Sequence, residues 1–190
     1  MVQAEVGARF AESLAEELKG QLAFSDMRLI DLAPLVQTGA ATISRWLRGE
    51  RALPFAFAYS ATCAMGMDVA DLLVIAEKRM RAQSTGAITE IAARGPAVTR
   101  NLRAQGSLFA ESVASELKAQ IAERSWTVAA VAEATGHFPA VAGGWLAGRR
   151  TIPVHFAYNA ASVIGLEVGE LGKLATLRMD RFDQPEVDGN

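Results

Sequence analysis

Residues 38–48 carry hydroxyl and guanidinium side chains at spacings that would place several of them on one side of a short helix. A helix over roughly Ala40–Leu47 would point Ile43 and Trp46 inward and Ser44 and Arg45 outward. Both groups donate hydrogen bonds to bases and phosphates, and an arginine paired with guanine supplies ~1–3 kcal/mol of discrimination. The candidate nucleic-acid contacts of this segment are Thr38, Ala40, Ala41, Thr42, Ser44, Arg45 and Arg48.

This segment belongs to a unit that occurs twice in the chain. Shifting the sequence by 99 residues aligns residues 7–80 with residues 106–179 without a gap, and 28 of the 74 aligned positions are identical. Self-similarity at a fixed spacing is the mark of a duplicated module. We name the two stretches copy one and copy two, and we expect them to share one fold.

Copy two lacks most of the polar chemistry of the first segment. At the same register it has His137, Phe138, Pro139, Ala140, Val141, Gly143 and Gly144. His137 stays a candidate contact, and Arg149 and Arg150, like Arg51 of copy one, are candidates for phosphate. We expect copy two to bind DNA weakly through contacts with its phosphate backbone, to read DNA with altered preference, or to hold copy one in place.

Apolar residues four apart predict a first helix of about four turns in each copy. In copy one these residues are Phe10, Leu14, Leu18 and Leu22, and copy two repeats the pattern. Further helices are predicted roughly over residues 28–36, over residues 40–47, from Pro54 to near Gly66 and from Asp68 to about Met80. No stretch alternates with a two-residue period, so we expect no sheet.

The two central helices of copy one resemble the helix-turn-helix of the Cro/C1-type repressors, also called the XRE family. The resemblance rests on Leu32-Ala33, a tight turn, and the string Thr42-Ile43-Ser44-Arg45-Trp46-Leu47-Arg48-Gly49. It implies an all-α fold of two tandem five-helix lambda-repressor-like domains, with the third helix in the major groove. The family has glycine in the turn, as copy two does, whereas copy one has Gln37. Copy one then needs a left-handed backbone at Gln37 or a turn remodelled with help from Gly39.

The chain divides into four predicted segments: a helix-turn-helix domain (1–80), a basic, partly helical linker (81–105), a degenerate helix-turn-helix domain (106–179) and an acidic tail (180–190). The four linker arginines could follow a phosphate backbone or be solvated. Residues 87–94 form one candidate helix, and Pro96 starts another that runs toward Phe109. The tail has a composition typical of disorder.

The composition is globular, with 51% hydrophobic residues and a net charge of -2. No apolar run approaches the roughly 20 residues that cross a bilayer, and the N-terminus has no basic-then-apolar segment of a secretory signal. Cys63 is the only cysteine, and two histidines are too few to indicate a metal site. We expect a cytoplasmic protein without a catalytic constellation, cofactor, metal or membrane contact, and therefore not an enzyme.

The function predicted from these features is that of a sequence-specific, DNA-binding transcriptional regulator, a repressor of the phage type. Double-stranded DNA is its expected partner, with copy one in the major groove. A covalent tandem could bind as a monomer on an asymmetric site. An intramolecular pseudo-dimer and a homodimer both stay open.

Two other classes of function compete with this prediction. The helix-turn-helix frame could serve as the scaffold of a protein-interaction module, such as an antirepressor or adaptor. The near-neutral charge and an exposed Phe138-Pro139 in copy two favour this alternative. The chain could also be the antitoxin of a toxin pair, with the acidic tail folding on its partner.

Overall fold

The computed structural model describes residues 3–82, 91–98 and 101–183, and within these ranges its regular structure is all-helical. Copy one contains α1 (Gln3–Phe24), α2 (Leu29–Leu35), α3 (Ala40–Leu47), α4 (Phe55–Ala64) and α5 (Val69–Ala82). Copy two contains α6 (Leu102–Glu123), α7 (Val128–Ala134), α8 (Pro139–Leu146), α9 (Val154–Val163) and α10 (Val168–Asp183). The predicted all-α class is confirmed, and corresponding helices begin 99 residues apart.

The first helix of each copy is longer than its apolar stripe predicts. α1 and α6 have 22 residues each, which is about six turns against the expected four. The stripe residues, from Phe10 in α1 and Phe109 in α6, are buried. The turns before them lie against the opposite copy, where Gly7 meets α9 and Gly106 meets α4. The apolar stripe begins at Phe10 and Phe109, so the four-residue spacing does not include these earlier turns.

The turn between α2 and α3 has a left-handed residue at its centre. Gln37 has a φ of 50°, and Gly136 has a φ of 73° at the same position of copy two. Of the two predicted geometries, the left-handed backbone at Gln37 is therefore the one observed. The next residue is held by its N–H, which donates to the Ala33 carbonyl at 3.0 Å, so the turn keeps its position despite the strained φ.

The two copies pack into one body with a local two-fold relation. α1 contacts α9, α4 contacts α6, and α5 contacts α10. The ring of Phe10 stacks on Tyr158 with centroids 4.2 Å apart, and the ring of Phe109 stacks on Tyr59 at 4.4 Å. The two ring pairs correspond to each other through the shift of 99 residues. A single hydrophobic core consequently runs through both copies.

Two glycines allow the crossings between the copies to be close. A Cβ on Gly7 would lie 2.4 Å from the carbonyl oxygen of His155, and a Cβ on Gly106 would lie 2.4 Å from that of Ala56. No side chain fits at such a distance, so only glycine permits these helices to approach. Both copies have glycine at this position, and its missing side chain lets the helices of the two copies pack closely.

Residues 91–98 form an irregular segment on the surface of copy one. The N–H of Ile91 donates to the side-chain oxygen of Gln21 at 3.0 Å, and the N–H of Val98 donates to the carbonyl of Cys63 at 3.0 Å. The helix predicted over residues 87–94 is wrong for residues 91–94, because the N–H groups of Ile91 and Arg94 donate to Gln21 and Gly66 of copy one. Residues 87–90 lie outside the described residues.

Two linker arginines are paired with acids of copy one. Arg94 lies 2.6 Å from a carboxylate oxygen of Asp71 and 3.6 Å from one of Asp68. Arg81 pairs with Glu77 at 2.8 Å. Each of these two arginines thus has an intramolecular partner, while the side chains of Arg81 and Arg94 stay 62% and 64% exposed. Contact with phosphate and simple solvation both stay predictions for the linker.

Two predicted boundaries fall inside helices. α6 begins at Leu102, after the left-handed Asn101 with a φ of 57°, and so includes residues 102–105 of the predicted linker. It does not start at Pro96, because residues 96–98 belong to the irregular segment. α10 continues through residues 180–183 of the predicted tail. The rest of that tail, 184–190, lies outside the described residues.

No single helix among the described residues is long and apolar enough to cross a bilayer. α4 and α5 reach that length and apolar character only when taken together, and they are bent by 113° relative to each other. Both helices contribute many of their residues to the common core.

Candidate nucleic-acid interface

One side of α3 is anchored in the core of copy one. Ile43 and Leu47 are buried, and the Trp46 ring packs on Phe57 with centroids 5.0 Å apart. Gly39 caps the helix, and no atom lies within 4 Å of the position that its Cβ would take. The predicted inward orientation of Ile43 and Trp46 is confirmed, and the space at the start of the helix is open.

Arg45 is the candidate reader that the structure leaves most available. Its side chain is exposed and makes no hydrogen bond or ion pair with a described residue. A guanidinium in this state has its N–H donors free for bases or phosphates. Around it, Ala41 is exposed, and Thr38, Ala40, Thr42 and Ser44 are half-buried.

Arg48, by contrast, is held in a local network. Its Nε lies 2.6 Å from Oε1 of Glu50, and its Nη1 donates to Oγ of Ser44. The hydrogen bond from Arg48 lowers the pKa of the Glu50 carboxyl, and the charges of Arg48 and Arg45 act in the same direction. Glu50 is not among the residues predicted for this surface, although an acid two residues after an arginine indicates such a pair. A DNA contact by Arg48 would have to compete with this carboxylate.

The corresponding helix of copy two offers few hydrogen-bond donors. Ala142 and Leu146 of α8 are buried, and no atom lies within 4 Å of the Cβ position of Gly143. Just before the helix, Phe138 is 81% exposed, as the sequence predicts. α8 therefore presents small residues beside one exposed aromatic ring.

His137 lies in an aromatic cluster at the base of α8. Its ring centroid is 5.2 Å from that of Trp145, 5.3 Å from that of Phe156 and 5.8 Å from that of His155. Burial lowers the pKa of both histidines below the ordinary value of 6.5, and for His155 the nearby His137 adds to the effect. The structure places His137 with these rings and not with the exposed arginines.

The three candidate phosphate contacts are all exposed. Arg51 follows α3, and Arg149 and Arg150 follow α8. None of the three side chains makes a hydrogen bond or ion pair with a described residue. Positive charge thus follows the third helix of each copy, with Glu50 beside it in copy one where copy two has Arg149.

Neither a metal site nor a known relative accounts for these residues. Within residues 3–82, 91–98 and 101–183, no three His, Cys, Asp or Glu side chains come together as a group that could hold a metal ion. Burial raises the pKa of the Cys63 thiol. Comparison with protein-family models, curated proteins and solved structures finds no match to this chain.

Proposed function

We propose that this chain is a sequence-specific, DNA-binding transcriptional regulator, a repressor of the phage type, in which α3 reads the major groove. The observation that carries the proposal is the exposed Arg45, whose side chain makes no hydrogen bond or ion pair with a described residue, on a helix whose other side is anchored in the core. A guanidinium so placed can form a bidentate pair with guanine. The small Ala40 and Ala41 beside it would allow close approach to the groove.

We assign each copy to a lambda-repressor-like helix-turn-helix domain. This assignment is supported by the order of five helices in each copy and by the short α2 and α3 joined through the left-handed residue 37. It is supported too by the open space at Gly39, because the first turn of a recognition helix has to approach the bases. The family resemblance described above belongs to the same proposal.

The target of such a regulator would be asymmetric. The copies face each other as the subunits of a dimer do, but only α3 carries hydroxyl and guanidinium groups, while α8 carries glycines in their place. Copy two would contribute phosphate contacts through Arg149 and Arg150. Because both copies are on one chain, the second contact is made at high effective concentration.

The experiment is to select binding sites from a random pool of duplex DNA with the purified chain at near-physiological salt, and to measure the mass of the complex. An asymmetric enriched site bound by one chain is the expected result. A palindrome bound by two chains would mean that copy one reads both half-sites of a homodimer. A folded chain that enriches no sequence at any salt concentration would refute the proposal.

A second candidate function rests on a different surface. Phe138 is 81% exposed beside Gly143, whose Cβ position is open, and exposed aromatic residues next to small ones are typical of protein contacts. Copy two would then be the docking part of an adaptor or antirepressor. The selection experiment separates the two candidates, because this alternative requires no enriched DNA sequence.

A further inference from the structure

Beneath α3 lies a crevice of about 240 Å³ at the contact between the two copies. Trp46 and Phe57 of copy one line one side, and their rings are tilted at 43° to each other. Arg103 and Ser107 of α6 line the other side, together with Thr151 from the turn before α9. The crevice therefore has an aromatic wall from copy one, where Thr38 and Ser60 also line it, and a polar wall from copy two.

The polar side chains that copy two contributes to this crevice have no polar counterparts in copy one. At the positions of Arg103, Ser107 and Thr151, copy one has Ala4, Ala8 and Ala52. The side chain of Ala4 lies 3.7 Å from the Cβ position of Gly136, at the equivalent place in copy two. The polar wall is accordingly a special feature of the crevice under α3 and not a general feature of the contact between copies.

The surroundings of the aromatic wall also differ between the copies. In copy one Trp46 is half-buried and Phe57 is 4% exposed, so Trp46 supplies most of the accessible ring surface. In copy two the rings of Trp145 and Phe156 have centroids 4.6 Å apart. The ring of His137 lies against both of them, 5.2 Å from Trp145, and the ring of His155 lies against Trp145. Copy one has Thr38 and Ala56 in place of the two histidines. These short side chains leave open the space that imidazole rings occupy in copy two.

Arg103 is the only charged side chain among the described residues that line this crevice. It is exposed and makes no hydrogen bond or ion pair with a described residue. Ser107 is exposed beside it, one turn along α6. A lone guanidinium with hydroxyl groups nearby is a receptor for a carboxylate, which it binds through two parallel hydrogen bonds.

We propose that the crevice binds a small aromatic carboxylate, with the acid group on Arg103 and the ring against the half-buried Trp46. The volume is somewhat below the usual range of about 300–1,000 Å³ for ligand pockets, so a ligand with one ring or two fused rings fits best. Thr38 precedes α3 and Trp46 lies in its last turn, so a bound ligand would contact residues at both ends of this helix. Regulation of DNA binding by this ligand would be a separate step, and it rests on the proposed function.

Ligand binding is tested on the full chain without DNA. Titration calorimetry with benzoate and indole-3-acetate is compared with titration of the neutral indole-3-acetamide. We expect the acids to bind and the amide to bind at least tenfold more weakly. Arg103→Ala should weaken binding of the acids by tenfold or more, whereas Ala4→Arg, at the equivalent position of copy one, should leave it unchanged.

A second variant tests the aromatic wall. Thr38→His combined with Ala56→His introduces the side chains that copy two has at these positions, and it should abolish binding of both acids. Thermal unfolding checks that each variant is folded. Should the paired histidines prevent folding, Arg103→Lys is measured in their place, and it should retain part of the affinity because the charge stays while the paired donors are lost.

Three results would overturn the ligand proposal: no binding of either acid at millimolar concentration, equal binding of acid and amide, or full affinity in the folded Arg103→Ala variant. If no acid binds but Arg103→Ala weakens DNA binding, Arg103 is a phosphate contact and the crevice is not a ligand site. If acids bind but the chain selects no DNA sequence, the ligand site stands and the proposed function fails. The two hypotheses can therefore fail separately.

Discussion

Pro54 and Pro153 pair across the contact between the copies as an isolated antiparallel bridge. The N–H that follows each proline donates to the carbonyl that precedes the other, at 3.3 and 2.9 Å. The two hydrogen bonds are related by the shift of 99 residues, so the local two-fold axis passes between the two prolines. The chain thus contains the arrangement of a symmetric dimer without depending on protein concentration.

The crossing glycines should be sensitive to substitution. Gly7→Ala or Gly106→Ala would place a methyl group 2.4 Å from a backbone carbonyl oxygen, and we expect a loss of about 1–3 kcal/mol in the free energy of unfolding. Urea denaturation measures the change. Gly143→Ala is the matched control, because its Cβ position is open. It should gain up to about 1 kcal/mol from helix propensity, and equal effects at all three glycines would contradict a close crossing.

The buried ion pair of copy one should matter more than its counterpart in copy two. The side chains of Glu17 and Arg79 are 1% and 10% exposed, whereas those of Glu116 and Arg178 are 13% and 36% exposed. Arg79→Ala leaves a buried carboxylate without its partner and should cost about 3–5 kcal/mol of stability.

Arg178→Ala is the control for that change. The pair with Glu116 is partly solvated, and its loss should cost about 1 kcal/mol or less. Both variants are compared by chemical denaturation near neutral pH. Equal losses would mean that the difference in burial between the two pairs has no energetic consequence.

The histidine cluster predicts a pH dependence of stability. Burial lowers the pKa of His137 and His155 in the folded chain, so the unfolded chain takes up protons more readily below an ordinary pKa of 6.5. Their contribution should be independent of pH above that value, and the free energy of unfolding should decrease as the pH falls through it. The midpoint of urea unfolding, followed between about pH 5.5 and 8, measures this dependence.

The residues of copy one supply the control for the pH experiment. His137→Thr together with His155→Ala restores the side chains found at positions 38 and 56. This variant should lose the decrease in stability that occurs just below pH 6.5. If its unfolding midpoint follows the same pH profile as that of the parent chain, other groups are responsible.

Local patterns in the sequence predict much of the fold. The bounds of α3 agree with the prediction because the helically spaced, buried apolar residues Ile43 and Leu47 are followed by Gly49, which takes a φ of 74°. The repeat predicts that copy two has the same helices, and Gln37 is left-handed because the register of the turn requires it. In these cases the determining contacts lie within a few residues of each other.

Contacts between distant segments were not predictable in the same way. The aromatic surroundings of His137 depend on His155 and Phe156, which reach it only in the folded chain. The irregular segment from Ile91 is bonded to Gln21, 70 residues earlier, and its local sequence contains no sign of this. The polar wall near Arg103 likewise exists only because α6 packs on α4.

Arg45 should determine sequence preference if α3 reads DNA. Arg45→Ala removes the exposed guanidinium without touching the core, so folding should be unaffected while affinity for the selected site falls by about 1–3 kcal/mol. Binding to the selected site and to a scrambled duplex is measured in parallel. Lys173→Ala, at an exposed position of α10, is the control for loss of one charge. Unchanged affinity for the selected site would remove Arg45 from the reading role.

Arg149 and Arg150 should act on phosphate and not on bases. Both side chains are exposed and have no partner among the described residues, and they follow a helix that has glycines where α3 has Ser44 and Arg45. Replacing both by alanine should weaken binding to all duplexes alike. It should also reduce the slope of log affinity against log salt by as much as about two, since each phosphate contact contributes about 0.9.

The slope is obtained from titrations between about 50 and 200 mM salt for the parent chain, the double variant and Arg45→Ala. A base contact and a phosphate contact differ in this plot: loss of Arg45 should lower the affinity for the selected site far more than for a scrambled duplex, whereas loss of the paired arginines should lower both equally. If the double variant instead prefers a different sequence, copy two takes part in reading. The expected asymmetric target would then have to include a second base-specific half, contacted from α8.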